Sequence, residues 1–566
     1  MSSALNTQPM HSSKNSGAIS GAKLLVQCLE KQGVTRIFGI PGAKIDTVFN
    51  ELLDSQIELI LCRHEQNAAF MAAAHGRLTG EPGVVLVTSG PGVSNLATGL
   101  LTATTEGDPI VAIGGNVARS MKLKESHQST NNIKLLEAAT KFCVEVPQAK
   151  NIPEIIDNAF RIAKKSRRGA TFISFPQDIG HELTDTPAHE PLRKLQFGHA
   201  PLDLIQEVAN KISQAHLPIL LLGQEASRPE NTQAIRTLLH KTKLPVIGTY
   251  QAAGAISHDL LECFVGRVGL FKNQPGDLLI DQADLIISIG FNPTEYDPEL
   301  WNPLAQKKII AIDYQMADIR TCYAPSIELL GNIENTLKHL SDFLFSSPLK
   351  QISLIQKLQS DHDNFHLSHS PNTIHPLEFI RHLRTSISDQ TQYQTIVTCD
   401  IGSHYMWMAR YFYTFEPHHL LFSNGQQTLG VALPWAISAS LCQPHKKIIS
   451  ISGDGGFLFS SMELETAVRY QRPLIHFVWV DGTYNMVKEQ QLMKYHRESG
   501  VALGKIDLVN YAKSFGAMGE KLTHAKQIPE LLKKYENHLG PVLVEVPINY
   551  QDNPVLFQSL HTEQGG

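Results

Sequence analysis

Residues Ile448–Val487 read IISISGDGGFLFSSMELETAVRYQRPLIHFVWVDGTYNMV. An apolar run, Ile448–Ile451, stops at Gly453-Asp454-Gly455-Gly456. A helical spacing of Phe457, Met462, Leu464, Ala467 and Val468 follows, and a second apolar run, Leu474–Val480, stops at Asp481-Gly482-Thr483. The order is strand, tight turn, helix, strand, tight turn. Each turn carries an Asp just past the carboxyl end of a strand, the edge at which open α/β sheets bind ligands. Asp481 follows Asp454 by 27 residues. That is about the length of one βαβ unit, so the two strands are expected to be neighbours and their carboxylates to converge. Two hard oxygen ligands suit Mg²⁺, which keeps one or two carboxylates and completes its octahedron with phosphate and water oxygens. The glycines allow backbone to approach a phosphate closely. A lone Gly-Asp-Gly is usually no more than a strand-to-helix turn; the second Asp at a fitting distance sets this one apart.

The same alternation extends to both ends of the chain. The first part reads helix Ala22–Gln32, strand Arg36–Gly39, strand Ile57–Cys62, helix Asn67–Leu78, strand Val84–Thr88, helix Val93–Thr104, strand Ile110–Gly114 and strand Thr171–Phe175. A linker with three prolines, Thr186–Pro201, precedes a second series starting at Ile219–Gly223. That series continues through Pro245–Gly248, Leu285–Gly290 and Ile309–Asp313. Ser346–Pro376 is polar and holds at most one helix. The third series runs from Ile396–Thr398 to Leu543–Val546. Runs such as Val84-Val85-Leu86-Val87 are apolar on both faces, as parallel strands covered by helices must be. The expectation is an α/β chain of three doubly wound parallel-sheet domains, over residues 18–185, 200–345 and 373–550, with loose polar tails at Met1–Ser20 and at the end.

Composition excludes several classes. The chain has 566 residues, 42% hydrophobic and 18% charged, with net charge −5. No Lys/Arg block points to nucleic acid or a membrane surface. No apolar run reaches the roughly 20 residues of a membrane span. The seven cysteines are scattered without a CxxC pair, which argues for reduced thiols in a cytoplasmic setting rather than a disulfide frame or zinc site. The amino-terminal residues have neither a secretory apolar core nor an Arg-rich transit character.

Further candidates sit at other strand ends. Arg63-His64-Glu65-Gln66 follows Cys62 and opens an alanine-rich helix. An acid there favours the helix dipole, and it is also placed for chemistry. It is not a zinc HExxH, because residue 68 is Ala. Ser89 in Ser89-Gly90-Pro91-Gly92 is not a hydrolase nucleophile, because a GxSxG elbow needs Gly where Val87 stands. Asp400-Ile401-Gly402-Ser403-His404 also follows a strand, and is equally readable as a capped helix start.

Taken together, the GDGG turn with its later Asp, the His-Glu-Gln segment and the Ser-Gly-Pro-Gly turn resemble the thiamine diphosphate (ThDP) enzymes, and within them the acetolactate synthase branch. The resemblance implies that Asp454, Asp481 and the backbone carbonyl of Thr483 hold Mg²⁺. It implies that Glu65 bonds N1′ of the aminopyrimidine ring, with Ser89 and Gly90 shaping the loop beside it. Ser403 and His404 would reach the diphosphate. Leu429, in the stretch SNGQQTLGVALPWAIS, would wedge between the two cofactor rings. Gln427, Gly453, Gly455, Gly456, Tyr484, Asn485 and Met486 complete the implied cofactor site. The cofactor supplies the chemistry, and the protein supplies orientation and pKa tuning.

The match is nearest to the catabolic acetolactate synthases, which lack FAD. Ala43-Lys44 follows Pro41-Gly42 where the biosynthetic branch is Gly-rich. His127-Gln128 stands where that branch has Phe-Gln, Gln490 replaces a typical Trp, and Asp481 replaces Asn. The middle segments Gly266–Phe271 and Asn292–Tyr296 also match. The implied reaction condenses two pyruvates to 2-acetolactate and CO₂, feeding acetoin or butanediol formation. Lys44, His127, Gln128 and Gln490 are candidates for orienting the second pyruvate. FAD is not expected, since no net oxidation occurs and no GxGxxG opens a middle-domain helix. A homodimer or homotetramer with shared active sites is implied. Another pyruvate-using ThDP enzyme (oxidase or decarboxylase), or an inactive scaffold of this fold, remain the alternatives.

Overall fold

The computed structural model describes residues 17–557 apart from 123, 194–195, 273, 346–351, 364–367, 369 and 388–393. Residues 1–16 of the amino-terminal tail, the tail after 557 and part of the 346–376 segment lie outside the described residues. Within that segment one helix, Ile352–Asp363, is present.

Among the described residues three parallel six-stranded sheets are each flanked by helices, and Ile19–Ser20 pairs antiparallel with Leu183–Thr184 in a small fourth sheet of the first domain. Numbering strands within each six-stranded sheet in chain order, the first and third sheets share the order 2-1-3-4-6-5, and the middle sheet has 3-2-1-4-5-6. In the first sheet the reversal lies between Arg36–Ile40 and Gly83–Val87. In the third it lies between Thr395–Cys399 and Lys447–Gly453. In the middle it lies between Pro218–Leu222 and Leu285–Ile289. Such reversals open a crevice beyond the carboxyl ends of the strands. The central strands are buried along their whole length, as in Gly83–Val87 and Leu285–Ile289, which is why they read as unbroken apolar runs.

Two regions expected as single helices are broken. The first, expected over Val93–Thr104, is Pro91–Ser94 followed by Ala97–Glu106. The break frees Asn95, whose side chain turns back to Glu65. The second, after the GDGG turn, is Asp454–Leu458, a 3₁₀ turn Ser461–Glu463 and Leu464–Arg469. Here Gly430 crosses so close that a Cβ on it would stand 2.7 Å from Phe459. Glu463 is drawn away to the first domain by backbone N–H donors.

First and third domains also share a core. Helix Glu65–Thr79 packs along helix Ala432–Cys442. Ala68, Ala69, Ala72 and Ala73 join Ala436 and Ala439 in one buried apolar cluster. Small side chains let the helix axes approach, which explains the alanine-rich sequence after Glu65. Among the described residues no helix is long and apolar enough to cross a membrane.

Candidate functional site

The strands Lys447–Gly453 and Leu474–Val480 are parallel neighbours, with Gly453 opposite Trp479. Asp454 and Asp481 therefore emerge side by side from the sheet edge, as the spacing predicts. Both line a cavity of about 280 Å³. Asp454 Oδ1 accepts from Gly455 N–H (2.9 Å) and Oδ2 from Gly482 N–H (2.8 Å). Asp481 Oδ2 accepts from Thr483 Oγ1 (2.6 Å) and Asn485 Nδ2 (2.9 Å). Burial pushes the Asp454 carboxyl up to about 6, and the charge of Asp481 adds to that. Burial also raises Asp481, against the hydrogen bonds from Thr483 and Asn485. Neither acid is ion-paired among the described residues, and no cluster of three His, Cys, Asp or Glu side chains stands ready for a metal there. A cation at this place would rely on two carboxylates plus other oxygens.

Such an oxygen is at hand. Residues 482–484 bridge 501–503 through Tyr484 N–H to Val501 O (2.9 Å) and Leu503 N–H to Gly482 O (2.8 Å). That pairing leaves the Thr483 carbonyl out of the ladder.

The remaining walls come from the loops at the sheet's reversal. Gly402–His404, Gln427, Leu429, Gly453–Gly456, Tyr484–Met486 and Gln490 line the cavity. All fourteen third-domain residues singled out in the sequence are thus brought together there. Bare backbone is required at the turn: a Cβ on Gly455 would lie 2.5 Å from the Tyr484 ring, and one on Gly456 2.8 Å from Asp400 Oδ2. His404 is buried, which lowers its pKa to about 3. Its Nε2 has no hydrogen-bond partner in the protein, an unusual cost for a buried polar atom.

Asp400, just past the strand Thr395–Cys399, organises these loops. It takes Gly430 N–H on both oxygens (3.0 and 2.9 Å) and Ile401 N–H (2.9 Å). Burial pushes it up to about 7. Trp479, Val487 and Tyr550 also line the cavity. Tyr550 comes from the carboxyl-terminal segment, and only tertiary structure reveals it.

The first-domain candidates form a second group. Glu65 is the first residue of its helix, capped by the His64 ring accepting Gln66 N–H (3.1 Å). Glu65 Oε2 accepts from Asn95 Nδ2 (2.9 Å), while Oε1 lies 3.6 Å from where a Gly92 Cβ would stand. Ser89 Oγ donates to Gln128 Oε1 (3.1 Å), and Gln128 holds a left-handed φ of 60° beside Gly90. Glu65, Ser89, Gly90 and Gln128 therefore belong to one loop cluster. Lys44 lies on the turn after the strand Arg36–Ile40, bonded to Gln177 Oε1 (3.4 Å). His127 is exposed. Within the single chain, none of these six first-domain residues lines the third-domain cavity.

A residue without a signal in the sequence ties the third domain to the first-domain group. Glu463 Oε1 accepts from Arg63 N–H (2.8 Å), His64 N–H (3.1 Å) and Asn67 Nδ2 (3.1 Å), directly beside Glu65. It reads as one more helix position in the sequence, and no local signal marks it.

Comparison with known proteins agrees with this geometry. The thiamine pyrophosphate enzyme N-terminal TPP binding domain matches residues 19–136, the central domain 205–340 and the C-terminal TPP binding domain 400–546. The chain is 51% identical over 538 residues to the acetolactate synthase of Bacillus subtilis (strain 168), covering 94% of each chain. It is 45% identical over 559 residues to the catabolic acetolactate synthase of Raoultella terrigena, covering 96% of this chain and 98% of that one. A more distant relative is the acetolactate synthase isozyme 2 large subunit of Escherichia coli (strain K12), 30% identical over 94% of this chain and 96% of that one. With a cavity built from strand-end acids in the third domain and matches spanning nearly its whole length, this chain belongs to the thiamine pyrophosphate enzymes, in the acetolactate synthase family.

Proposed function

We propose that the protein joins two molecules of pyruvate into 2-acetolactate with release of CO₂, using thiamine diphosphate and Mg²⁺, in the route to acetoin. One observation carries the site assignment: two neighbouring carboxylates, raised by burial and without a salt bridge among the described residues, at one cavity beside a turn where only glycine fits. Two hard oxygens with a free carbonyl fit Mg²⁺. A buried imidazole nitrogen without a partner marks a place where a polar ligand would complete the site.

Asp454, Asp481 and the Thr483 carbonyl would hold the cation. Gly402–His404 and Gly453–Gly456 would take the diphosphate, and Gln427, Leu429, Tyr484, Asn485 and Met486 the rest of the cofactor. When bound, thiamine diphosphate supplies the nucleophilic carbon and the electron sink that decarboxylation of a 2-keto acid needs. The chain's residues then orient the reactants, exchange protons and exclude water. Because Asn95 occupies Glu65 Oε2, Oε1 is the oxygen left to share a proton with a ring nitrogen. Val487 and Gln490 line the cavity and would keep water from the reacting carbon. Lys44, His127, Gln128 and Gln490 orient the second pyruvate, with the Lys44 ammonium facing its carboxylate. The reaction has no net oxidation, so it requires no flavin.

Glu65 stands outside the cavity of its own chain, which supports a homodimer or homotetramer in which the first domain of one subunit faces the third domain of another. Seven free cysteines support a cytoplasmic location. The test is purified protein with pyruvate, Mg²⁺ and thiamine diphosphate, no FAD added, and NMR identification of the product. 2-Acetolactate is expected. Acetaldehyde would instead indicate a decarboxylase, oxygen uptake an oxidase, and failure to bind the cofactor in calorimetry an inactive scaffold.

A further inference from the structure

Behind the cavity runs a series of hydrogen bonds with a fixed direction. Trp407 Nε1 donates to Asn553 Oδ1 (2.7 Å), Asn553 Nδ2 to Asn485 Oδ1 (2.6 Å), and Asn485 Nδ2 to Asp481 Oδ2 (2.9 Å). An indole N–H can only donate. The Asn553 atom facing it must therefore be oxygen, so its amide nitrogen faces Asn485. Asn485 in turn must present its oxygen to Asn553 and its nitrogen to Asp481. Ser403 Oγ fills the second lone pair of Asn485 Oδ1 (2.7 Å). Trp407 and Asn553 are fully buried, so water cannot substitute for either partner.

The outcome falls on one carboxylate. Asp481 Oδ2 already accepts from Asn485 Nδ2 and Thr483 Oγ1, which uses both of its lone pairs. Oδ1 has only a long contact of 3.4 Å from Thr483 N–H. We propose that Asn553, directed by Trp407, is a positioning residue that holds Asp481 so that Oδ1 is the oxygen offered to the cation. The proposal rests on the cation site assigned above. The segment bearing Asn553 is itself pinned. Asp552 accepts from Ser368 N–H (2.8 Å) and Ser368 Oγ (2.7 Å), its carboxylate lies 3.0 Å from His375 Nε2, and Tyr550 lines the cavity. The end of the chain thus sets the metal ligand from behind.

The test titrates Mg²⁺ calorimetrically into protein with thiamine diphosphate present at one fixed concentration, for wild type, Asn553→Asp, Asn553→Ala and Trp407→Phe. The cofactor-free thermal midpoint and the pyruvate KM at saturating Mg²⁺ are measured alongside. Asn553→Asp keeps the shape but lacks the N–H donor, so its carboxylate repels Asn485 Oδ1 and drives that amide to turn its oxygen toward Asp481. Mg²⁺ affinity is expected to fall about ten- to a hundredfold in Asn553→Asp, the range for residues that orient metal ligands. It should fall less in Asn553→Ala and severalfold in Trp407→Phe, with pyruvate KM unchanged. Equal affinities for the Asp and Ala variants, or lowered midpoints with wild-type affinity, would overturn the proposal. If Asn553→Asp does not fold, wild-type affinity in Trp407→Phe overturns it by itself. Failure of the underlying site assignment is distinguishable: Asp481→Ala would then bind Mg²⁺ as wild type does.

Discussion

The first and third domains have the same strand order and the same reversal point, yet the two sheet edges do different work. In the third domain the strand ends deliver two acids into one cavity, where burial raises both. In the first domain the equivalent edge delivers the Thr88–Gly92 turn, with Glu65 held on one side by Asn95. Strand order sets where a ligand can sit. The residues immediately after each strand decide what it can be.

Four experiments break or sharpen this contrast. The largest effect is expected from the third domain. Asp454→Ala should weaken Mg²⁺-dependent cofactor binding by more than about a hundredfold, beyond the range for residues behind a metal ligand, and calorimetry reads it directly. Glu65→Gln should leave that binding intact while lowering kcat by about 10²–10⁴, the usual worth of a positioned acid or base. If both variants lost binding alike, the two edges would not be functionally distinct.

Glu463 ties the third domain to the helix start that bears Glu65, so its loss should fall between the effects of those two variants. Glu463→Ala strands the Arg63 and His64 N–H groups and the Asn67 amide. Stability should drop by about 1–3 kcal/mol, read by urea unfolding, and kcat should drop with little change in pyruvate KM. Glu463→Gln keeps an oxygen facing those donors and should restore much of both.

The middle domain supplies the smallest effect. Its reversal point is closed by its own acid: Glu295 accepts from Gln224 N–H (2.9 Å) and Asn292 N–H (3.0 Å), each just after a strand at the reversal, and from Thr249 Oγ1 (2.6 Å). Burial pushes Glu295 from 4.5 up to about 8. At pH 7 the folded chain then keeps a proton that the unfolded chain releases, so this group costs stability progressively as pH rises from about 4.5 to about 8. Glu295→Gln should raise the thermal midpoint relative to wild type more at pH 9 than at pH 5. A constant difference across that range would mean that Glu295 is already ionised.

Legibility in the sequence followed burial and distance along the chain. Central strands such as Val84–Val87 and Leu285–Ile289 were plain, because covering both faces leaves an unbroken apolar run. Of the edge strands among the described residues, only Glu58–Leu61 reads as a strand in the sequence. Phe142–Glu145 and Met518–Lys521 are partly exposed, and Leu420–Leu421 is only two residues long. Asp454 and Asp481 were readable because each abuts a recognisable strand and their spacing fits one unit. Asn95, Glu463 and Asn553 were not, because each acts through a contact with a residue 30 to 400 positions away. Lys44 and His127 came from the family resemblance alone, and in one chain they stand apart from the cavity.

Glu106 is fully buried and belongs to the first domain, yet its Oε1 takes N–H groups of Asn424 (2.8 Å) and Gly425 (2.7 Å) from the third. Gln251, from the second, donates to Oε2. A neighbouring arginine of the first domain, Arg77, grips Asp108 and also donates to the Phe422 carbonyl (2.7 Å). An acid of one lobe that takes its donors from the other two is stranded whenever either of them peels away. Heating should therefore give one cooperative transition rather than three, and excising a lobe for separate use would leave a molecule without its keystone.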